Sequence, residues 1–332
     1  MRQTTTVKTM TWLVTGGAGY IGAHVVRALV AEGIATVVVD DLSSGHESFL
    51  SPEVPFVKGT ILDRALLEKT ITEHGVTGVI HVAGFKYAGV SVQRPLHTYE
   101  QNVTGTATLL AAMQATGVDR IVFSSSAAVY GTPDTDLVTE QTPTSPESPY
   151  GESKLIGEWM LRDQAVAVGL KHASLRYFNV VGSGYDDVYD TSPHNLFPLV
   201  FTALLEGRTP RMNGDDYATP DGTPVRDYIH VGDLAASHVA AARRLDAGEP
   251  LLPVYNLGSG SGASLRDIMT AMATVTGIAF VPEIGPRRAG DPARIVAAGD
   301  LATRDLDWTM RHTLDEMVAS AWDATRRASQ PS

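Results

Sequence analysis

Over its first half the chain alternates short, nearly continuous apolar runs with longer segments in which apolar residues recur every three or four positions. Short unbroken runs of this kind read as strands buried on both faces, and the longer periodic segments as amphipathic helices. They predict strands over 11–15, 36–39, 54–57, 78–82, 120–124 and 172–176, with helices over 20–32, 64–74, 96–116 and 150–168. Strand–helix alternation at this spacing builds βαβ units, a parallel sheet with helices on both faces.

After about residue 180 the texture changes. Positions 182–193 are rich in Gly, Asp, Ser and Tyr, and 213–224 form a second Gly/Asp/Pro stretch. Around them lie helical patterns over 195–206, 233–246, 264–276 and 314–327. This predicts a smaller α/β C-terminal lobe, assembled partly from excursions of the chain rather than starting at one boundary. No internal repeat or low-complexity tract interrupts either part.

Composition then narrows the function classes. The 332 residues carry 26 Lys+Arg against 37 Asp+Glu, a net charge of −11. That balance lacks the basic surplus a general nucleic-acid or anionic-membrane binder needs. Cysteine is absent, which removes disulfides, thiolate nucleophiles and Cys-ligated metals, and the ten histidines show no metal-ligand spacing. No apolar run reaches the ~18 residues of a bilayer span. The Thr-rich start has no signal-peptide core, so a cytoplasmic location is expected.

The first chemistry appears where the first strand ends. Gly16-Gly17-Ala18-Gly19-Tyr20-Ile21-Gly22 joins that strand to the first helix and contains G-x-G-x-x-G from Gly17. Such a string permits a tight turn, close backbone approach to a pyrophosphate and close helix–sheet packing. Gly16, Gly19, Tyr20, Ile21 and Gly22 are therefore candidate cofactor residues, and the expected fold is a Rossmann-type doubly wound parallel sheet. Asp40 closes the second strand, where an acid accepts hydrogen bonds from ribose hydroxyls. The following Asp41-Leu42-Ser43-Ser44-Gly45 offers no cation for a 2′-phosphate, so NAD is favoured over NADP.

A second constellation follows the fifth strand. Ser124-Ser125-Ser126 ends it, and Tyr150-Gly151-Glu152-Ser153-Lys154 opens the next helix. Residues four apart share a helix face, so Tyr150 and Lys154 point the same way. An ammonium beside a phenol is expected to pull its pKa down from about 10, helped by a cationic nicotinamide. Tyr150 then serves as general base toward a substrate hydroxyl, with Ser126 as hydrogen-bond partner.

Together the glycine motif, Ser126, Tyr150 and Lys154 resemble the extended short-chain dehydrogenase/reductase family, and within it the sugar-nucleotide 4-epimerases. The similarity runs from about residue 11 to 322. It is carried by Val82-Ala83-Gly84-Phe85-Lys86, by 121–131, by Leu175-Arg176-Tyr177-Phe178-Asn179 and by 215–231. Tyr255-Asn256-Leu257-Gly258 and Arg287-Arg288-Ala289-Gly290-Asp291 add to it. The resemblance implies a redox-neutral interconversion of UDP-glucose and UDP-galactose. Tyr150 would take the 4-hydroxyl proton while hydride passes to bound NAD, leaving a 4-keto sugar that turns and is reduced on its other face. Dehydratases of the family carry an Asp-Glu pair after the serine or threonine; here Ala127 and Ala128 cannot transfer protons. A 4-epimerase of another UDP-sugar (N-acetylhexosamine, uronic acid or pentose) is the alternative. A non-catalytic NAD-sensing protein ranks below it, because Tyr150 and Lys154 are both present.

Carried over one position at a time, the resemblance adds Asp41, Ser44, Thr60, Ile61, Val82, Ala83, Gly84, Lys86, Asn102, Ser124 and Phe178 to the cofactor side. Tyr150 and Lys154 also face it. For the UDP-sugar it implies Lys86, Ser126, Tyr150, Asn179, Asn195, Leu196, Arg226, Arg288, Asp291 and Ile295. Arg226 and Arg288 suit a diphosphate, Asp291 the uridine ribose, and Ile295 the wall near sugar C2. Family members commonly pair as homodimers through the helices at 96–116 and 150–168. The expected division is a dinucleotide domain over 1–180, rejoined at about 226–258, and a mainly UDP-sugar lobe over 181–332.

Some positions depart from the pattern. Thr60 stands where the family has a carboxylate facing the adenine amino group, and Asp41 replaces an Asn. After Asn179, Val180 replaces a frequent Pro, and the acidic, aromatic 182–193 stretch is expected to reach the sugar pocket.

Overall fold

The computed structural model describes residues 10–287 and 292–329. Its centre is a seven-stranded, wholly parallel sheet. From one edge to the other the strands are Val254–Leu257, Lys171–Tyr177, Arg120–Ser124, Gly78–His81, Thr11–Thr15, Ala35–Asp40 and Phe56–Lys58.

Alternate side chains of each strand go to opposite faces, and both faces are dry. On one side Trp12, Val14, Val38, Ile80, Val122 and Leu175 pack with Val25, Val26 and Leu29 of helix Tyr20–Ala31 and with Leu234 and Val239 of helix Val231–Asp246. On the other side Leu13, Val37, Val39, Val79, Ile121 and Phe123 meet Leu67, Leu109, Met113 and Leu161. Those come from helices Arg64–Glu73, Gly105–Thr116 and Pro149–Val168. This two-sided burial is why the strands read as unbroken apolar runs.

The chain moves outward in one direction from Thr11–Thr15 through its first three strands, then restarts on the other side at Gly78–His81. The crevice beyond the carboxyl ends of those two neighbours is the switch point where open α/β sheets bind ligands.

Two expectations need correction, and some elements were not foreseen. The third strand begins at Phe56 rather than 54, since Pro55 has no N–H and the Val54 N–H is turned back to the Ser51 carbonyl. The single helix expected over 96–116 is three pieces: Pro95–Tyr99, a wider π turn over Glu100–Thr104, and Gly105–Thr116. The edge strand Val254–Leu257 and helices Ala88–Ser91 and Asp300–Leu306 carry too little periodicity to announce themselves.

A second apolar cluster joins helices Leu196–Leu205, Leu265–Thr276 and Leu314–Ala328 through Phe197, Phe201, Ile268, Met272, Val318 and Trp322. Small sheets tie this lobe to the central one. Val225–Arg226 lies between Ala263–Ser264 and Arg294–Ala297, and Tyr228–His230 runs parallel to Asn179–Val181. Fully buried Asp227, between those strands, accepts from the Ser259 and Ala297 amides.

Candidate active site

A cavity of about 1650 Å³ runs along the switch-point crevice and on between the two parts of the chain. A pocket for one drug-sized ligand spans about 300–1,000 Å³, so this one is large enough for two neighbouring subsites.

The glycines shape one wall. Gly16 has φ +73°, and a Cβ there would stand 2.6 Å from the Ala83 amide nitrogen of the neighbouring strand end. A Cβ on Gly22 would fall 2.0 Å from the Gly16 carbonyl oxygen. The turn and the helix that follows can be this close only without side chains. Gly19 caps helix Tyr20–Ala31 with no side-chain hydrogen bond, and no acid occupies the first turn. Its N-terminal amides therefore face the cavity with their partial positive charge free for an anion.

Asp40 sits at the next strand end, buried, with Oδ2 accepting from the Ala18 amide at 3.0 Å and Oδ1 from Leu42 at 2.8 Å. Burial raises its pKa, and those two amides pull it back. Carboxylate lone pairs remain for ribose hydroxyls, and Asp41 beside it adds a second negative charge toward any 2′-phosphate. Asp41 also accepts from the Ser43 amide, closing its own turn. Thr60 is partly committed, its hydroxyl accepting from the Leu62 amide at 3.3 Å. Lys86 lines the cleft, where burial lowers its pKa and the carboxylates of Asp190 and Asp40 oppose that. A glycine cradle, an open helix start and a buried strand-end acid fit a dinucleotide.

The reactive wall is built by the fifth strand and helix Pro149–Val168. Ser148 caps that helix through the Gly151 amide. A Cβ on Gly151 would stand 2.5 Å from the Ala128 carbonyl, so the helix start lies hard against the turn Ala127–Tyr130 that follows Ser126. This brings Tyr150 beside Ser126, whose side chain favours the ionised phenol. Lys154, one turn on, is buried and donates from Nζ to the Ser124 carbonyl at 2.9 Å, 5.8 Å from the Tyr150 ring centre.

The electrostatics correct one expectation. Burial raises the Tyr150 pKa above its ordinary value, and the neighbouring Ser126 hydroxyl recovers only part of that. Burial also pushes Lys154 down to about 8, opposed by Glu158. In the protein alone the tyrosine is a neutral phenol.

Most expected positions line the cavity: Gly16, Gly19 to Gly22, Asp40, Asp41, Ser44, Thr60, Ile61, Val82 to Gly84, Lys86, Tyr150, Lys154, Phe178, Asn179, Asn195, Leu196 and Arg226 among them. Four stand behind it. Asn102, at the π turn, accepts from the Phe85 amide at 2.6 Å and donates to the Phe85 carbonyl at 3.0 Å and to Ser153 at 2.8 Å. It is a strut under the Gly84–Lys86 loop. Ser124 is fully buried, its hydroxyl 2.8 Å from His238 Nε2. Ser126 reaches the site through Tyr150. Ile295 packs with Val129, Tyr130, Val138 and Leu155 instead of forming the cavity wall.

Arg226 donates to the carbonyls of Val225 and Pro292. Asn195 turns its amide to Asp190 at 2.7 Å and leaves the start of helix Leu196–Leu205 uncapped toward the cavity. Arg288 and Asp291 lie outside the described residues.

The 182–193 loop reaches the cavity as expected, through Gly182, Tyr189 and Asp190, while its middle is held elsewhere. Val188 is buried against Ala23 and Phe49, and Arg27 pairs bidentately with Asp187 at 2.7 and 2.5 Å. Tyr20 donates to the Gly182 carbonyl at 2.6 Å, and His24 accepts from the Gly184 amide at 2.9 Å. The loop is thus strapped over the glycine-motif helix, with Tyr189 and Asp190 as its cavity wall. Its acidic and aromatic composition serves this contact. Tyr177 was also missed. It lines the cavity beside Phe178, with its ring against that of His238.

A model of the NAD dependent epimerase/dehydratase family matches residues 12–258. The chain belongs to that family. Curated family relatives include a UDP-glucose 4-epimerase of Azospirillum brasilense, 43% identical across 96% of this chain and 92% of that protein. Another, from Corynebacterium glutamicum, is 40% identical across 95% of this chain and 96% of its own. Among solved structures, a Brucella ovis UDP-glucose 4-epimerase in complex with NAD superposes with a TM-score of 0.91 at 40% identity, covering 94% and 97% of the two chains. A Stenotrophomonas maltophila enzyme of the same name, with bound NAD and formylated UDP-arabinopyranose, gives 0.92 at 38%, covering 96% and 99%. The NAD dependence in the family's description agrees with the glycine cradle and Asp40.

Proposed function

We infer that this chain is an isomerase, an NAD-dependent 4-epimerase that interconverts UDP-glucose and UDP-galactose. The observation that carries the reading is that Tyr150 and Lys154, with Ser126 behind them, face the same cavity as the glycine cradle. Acid/base residues for dehydration are missing after Ser126, where Ala127 and Ala128 stand. When bound, NAD supplies the hydride acceptor at sugar C4, the hydride donor for the return step, and positive charge beside the phenol.

The protein's own groups do the rest. Tyr150 receives the 4-hydroxyl proton and later gives it back. Ser126 orients the phenol, and the Lys154 ammonium favours its ionised form. Glycine-motif amides and Asp40 hold the dinucleotide, aided by Asp41, Ser44, Thr60, Ile61 and the Val82–Lys86 segment. Phe178, on the same cavity wall as Tyr150, would help hold the nicotinamide end. Asn179, Asn195, Leu196 and Arg226, with Arg288 and Asp291, take the UDP-sugar. The uncapped start of helix Leu196–Leu205 and the Arg226 guanidinium support this, since both suit a diphosphate. Asn102, Ser124 and Ile295 act by supporting the wall.

The reading also divides the chain into a dinucleotide domain over 1–180, rejoined at about 226–258, and a UDP-sugar lobe over 181–332. It places the enzyme in the cytoplasm as a homodimer. Exposed Leu96, Trp159 and Val166 on helices Pro95–Tyr99 and Pro149–Val168 suit a dimer face, and no described helix is long and apolar enough to cross a membrane. Purified protein is incubated with UDP-galactose, first without and then with added NAD. Appearance of UDP-glucose is the expected result, and no conversion under either condition overturns the reading.

A further inference from the structure

Behind the reactive wall lies a buried ion pair that no step above uses. Glu158 and Arg176 are each nearly inaccessible, about 6% exposed. Arg176 donates to Glu158 in a bidentate pair, Nε to Oε1 at 2.8 Å and a terminal nitrogen to Oε2 at 2.5 Å. Glu158 also accepts from the Ser125 hydroxyl at 2.5 Å. Arg176 extends the network to the Tyr130 hydroxyl at 2.8 Å, which donates to Asn256 at 2.7 Å.

A buried pair of this kind is weak as a stabiliser, because desolvating both ions offsets much of their attraction. Its placement is more informative. Glu158 is one helical turn beyond Lys154 and shares its face. Ser125, which it holds, sits between Ser124, whose carbonyl receives the Lys154 ammonium, and Ser126, the partner of Tyr150. We propose that Glu158 is a positioning residue of the epimerase site. Its carboxylate keeps Lys154 in the ammonium form, and its bond to Ser125 fixes the serine turn on which Lys154 and Tyr150 both depend.

The groups around Lys154 leave this task to Glu158. Phe123 and Tyr150 present rings, and the Ser124 carbonyl is a dipole without net charge. His81, on the neighbouring strand, is fully buried and neutral, bracketed by Thr15 and Thr106. Tyr177 is a neutral phenol. Arg176 is a cation and works against the ammonium. Glu158 is the group that raises the lysine's proton affinity against burial.

The inference rests on the epimerase reading, and its test separates the two. Glu158→Gln keeps the shape, removes the charge and leaves the Arg176 cation unneutralised, so both changes favour loss of the Lys154 proton. In lysine labelled with 13C at Cε, the Lys154 resonance is assigned by its disappearance in Lys154→Met. Its titration midpoint in Glu158→Gln is expected to fall by about one pH unit or more relative to wild type. The alkaline limb of the epimerisation profile should move down with it.

Should the lone buried Arg176 prevent folding, Glu158→Gln with Arg176→Met removes both ions and is expected to move the midpoint the same way. Glu158→Asp, which keeps the charge, should restore the wild-type midpoint. An unchanged midpoint in a folded variant, with activity reduced equally at every pH, makes the pair a structural brace and overturns the proposal. Failure of wild type to interconvert the sugars overturns the epimerase reading and leaves the NMR result standing on its own.

Discussion

Lys154 gives its hydrogen bond to the Ser124 carbonyl at 2.9 Å and acts on the Tyr150 ring, 5.8 Å away, through space. The two side chains therefore have separable tasks: the phenol moves a proton and the ammonium stabilises the charge left behind. Tyr150→Phe keeps ring and volume and deletes the proton carrier. Lys154→Met keeps the carrier and deletes the charge. Each is expected to slow epimerisation by about 10²-fold or more, while dinucleotide released on denaturing the protein, measured by absorbance, stays near the wild-type amount. Loss of bound dinucleotide in Tyr150→Phe would show that the tyrosine serves binding rather than proton transfer.

Gly22→Ala tests the cradle. The added Cβ would lie 2.0 Å from the Gly16 carbonyl, a backbone atom that cannot step aside as a side chain does. Helix and turn must separate, and the amides that face a pyrophosphate lose their aim. The variant should retain its far-ultraviolet circular dichroism and purify without dinucleotide. Full dinucleotide content in Gly22→Ala would contradict this account of the turn.

Asn102→Ala addresses the loop behind the cofactor wall. The Asn102 amide satisfies both backbone groups of Phe85, and each buried group left without a partner costs about 1–3 kcal/mol. The variant is expected to melt several degrees lower and to hold dinucleotide less firmly, because the Gly84–Lys86 segment loses its support. Asn102→Asp keeps the acceptor for the Phe85 amide and loses the donor, so it should fall between. Differential scanning fluorimetry with and without added NAD reads both effects.

The same residue shows where sequence reading stops. The sheet was legible because burial on two faces writes long apolar runs, and Tyr150 and Lys154 were legible because helical spacing fixes a shared face. Asn102 fell in a helical pattern whose π turn has no compositional mark, so its part as a strut was hidden. The 182–193 loop looked like a sugar-pocket loop because acidic and aromatic residues suit one. Its ends do line the cavity, but the Arg27–Asp187 pair and the buried Val188 that tie its middle to the glycine-motif helix are contacts between residues far apart in the chain, which composition does not reveal. Glu158 had a local signal, four residues after Lys154, but its Arg176 partner lies on another strand. Tyr150 was misjudged in charge because spacing reveals the neighbouring ammonium and not the desolvation that outweighs it.

Desolvation also sets the acid limit of the fold. His24, His81, His230 and His238 are all buried, and burial pushes their pKa values down to about 4, 3, 4 and 4. An unfolded histidine takes up its proton near pH 6.5. Below that pH the unfolded chain binds more protons than the folded one, so this contribution to stability is complete above about pH 6.5 and is lost as pH falls toward 4. The slope is at most about 1.4 kcal/mol per pH unit for each such histidine. Urea denaturation at pH 7.5, 6.5, 5.5 and 4.5 should show falling stability over the last three. His238 is the cleanest one to remove, since its ring bonds only Ser124 Oγ and the Leu234 carbonyl. His238→Gln should weaken the protein at pH 7.5 and give a shallower slope between 6.5 and 4.5. A slope equal to wild type would mean that His238 is already protonated in the folded protein, against its position in a dry core.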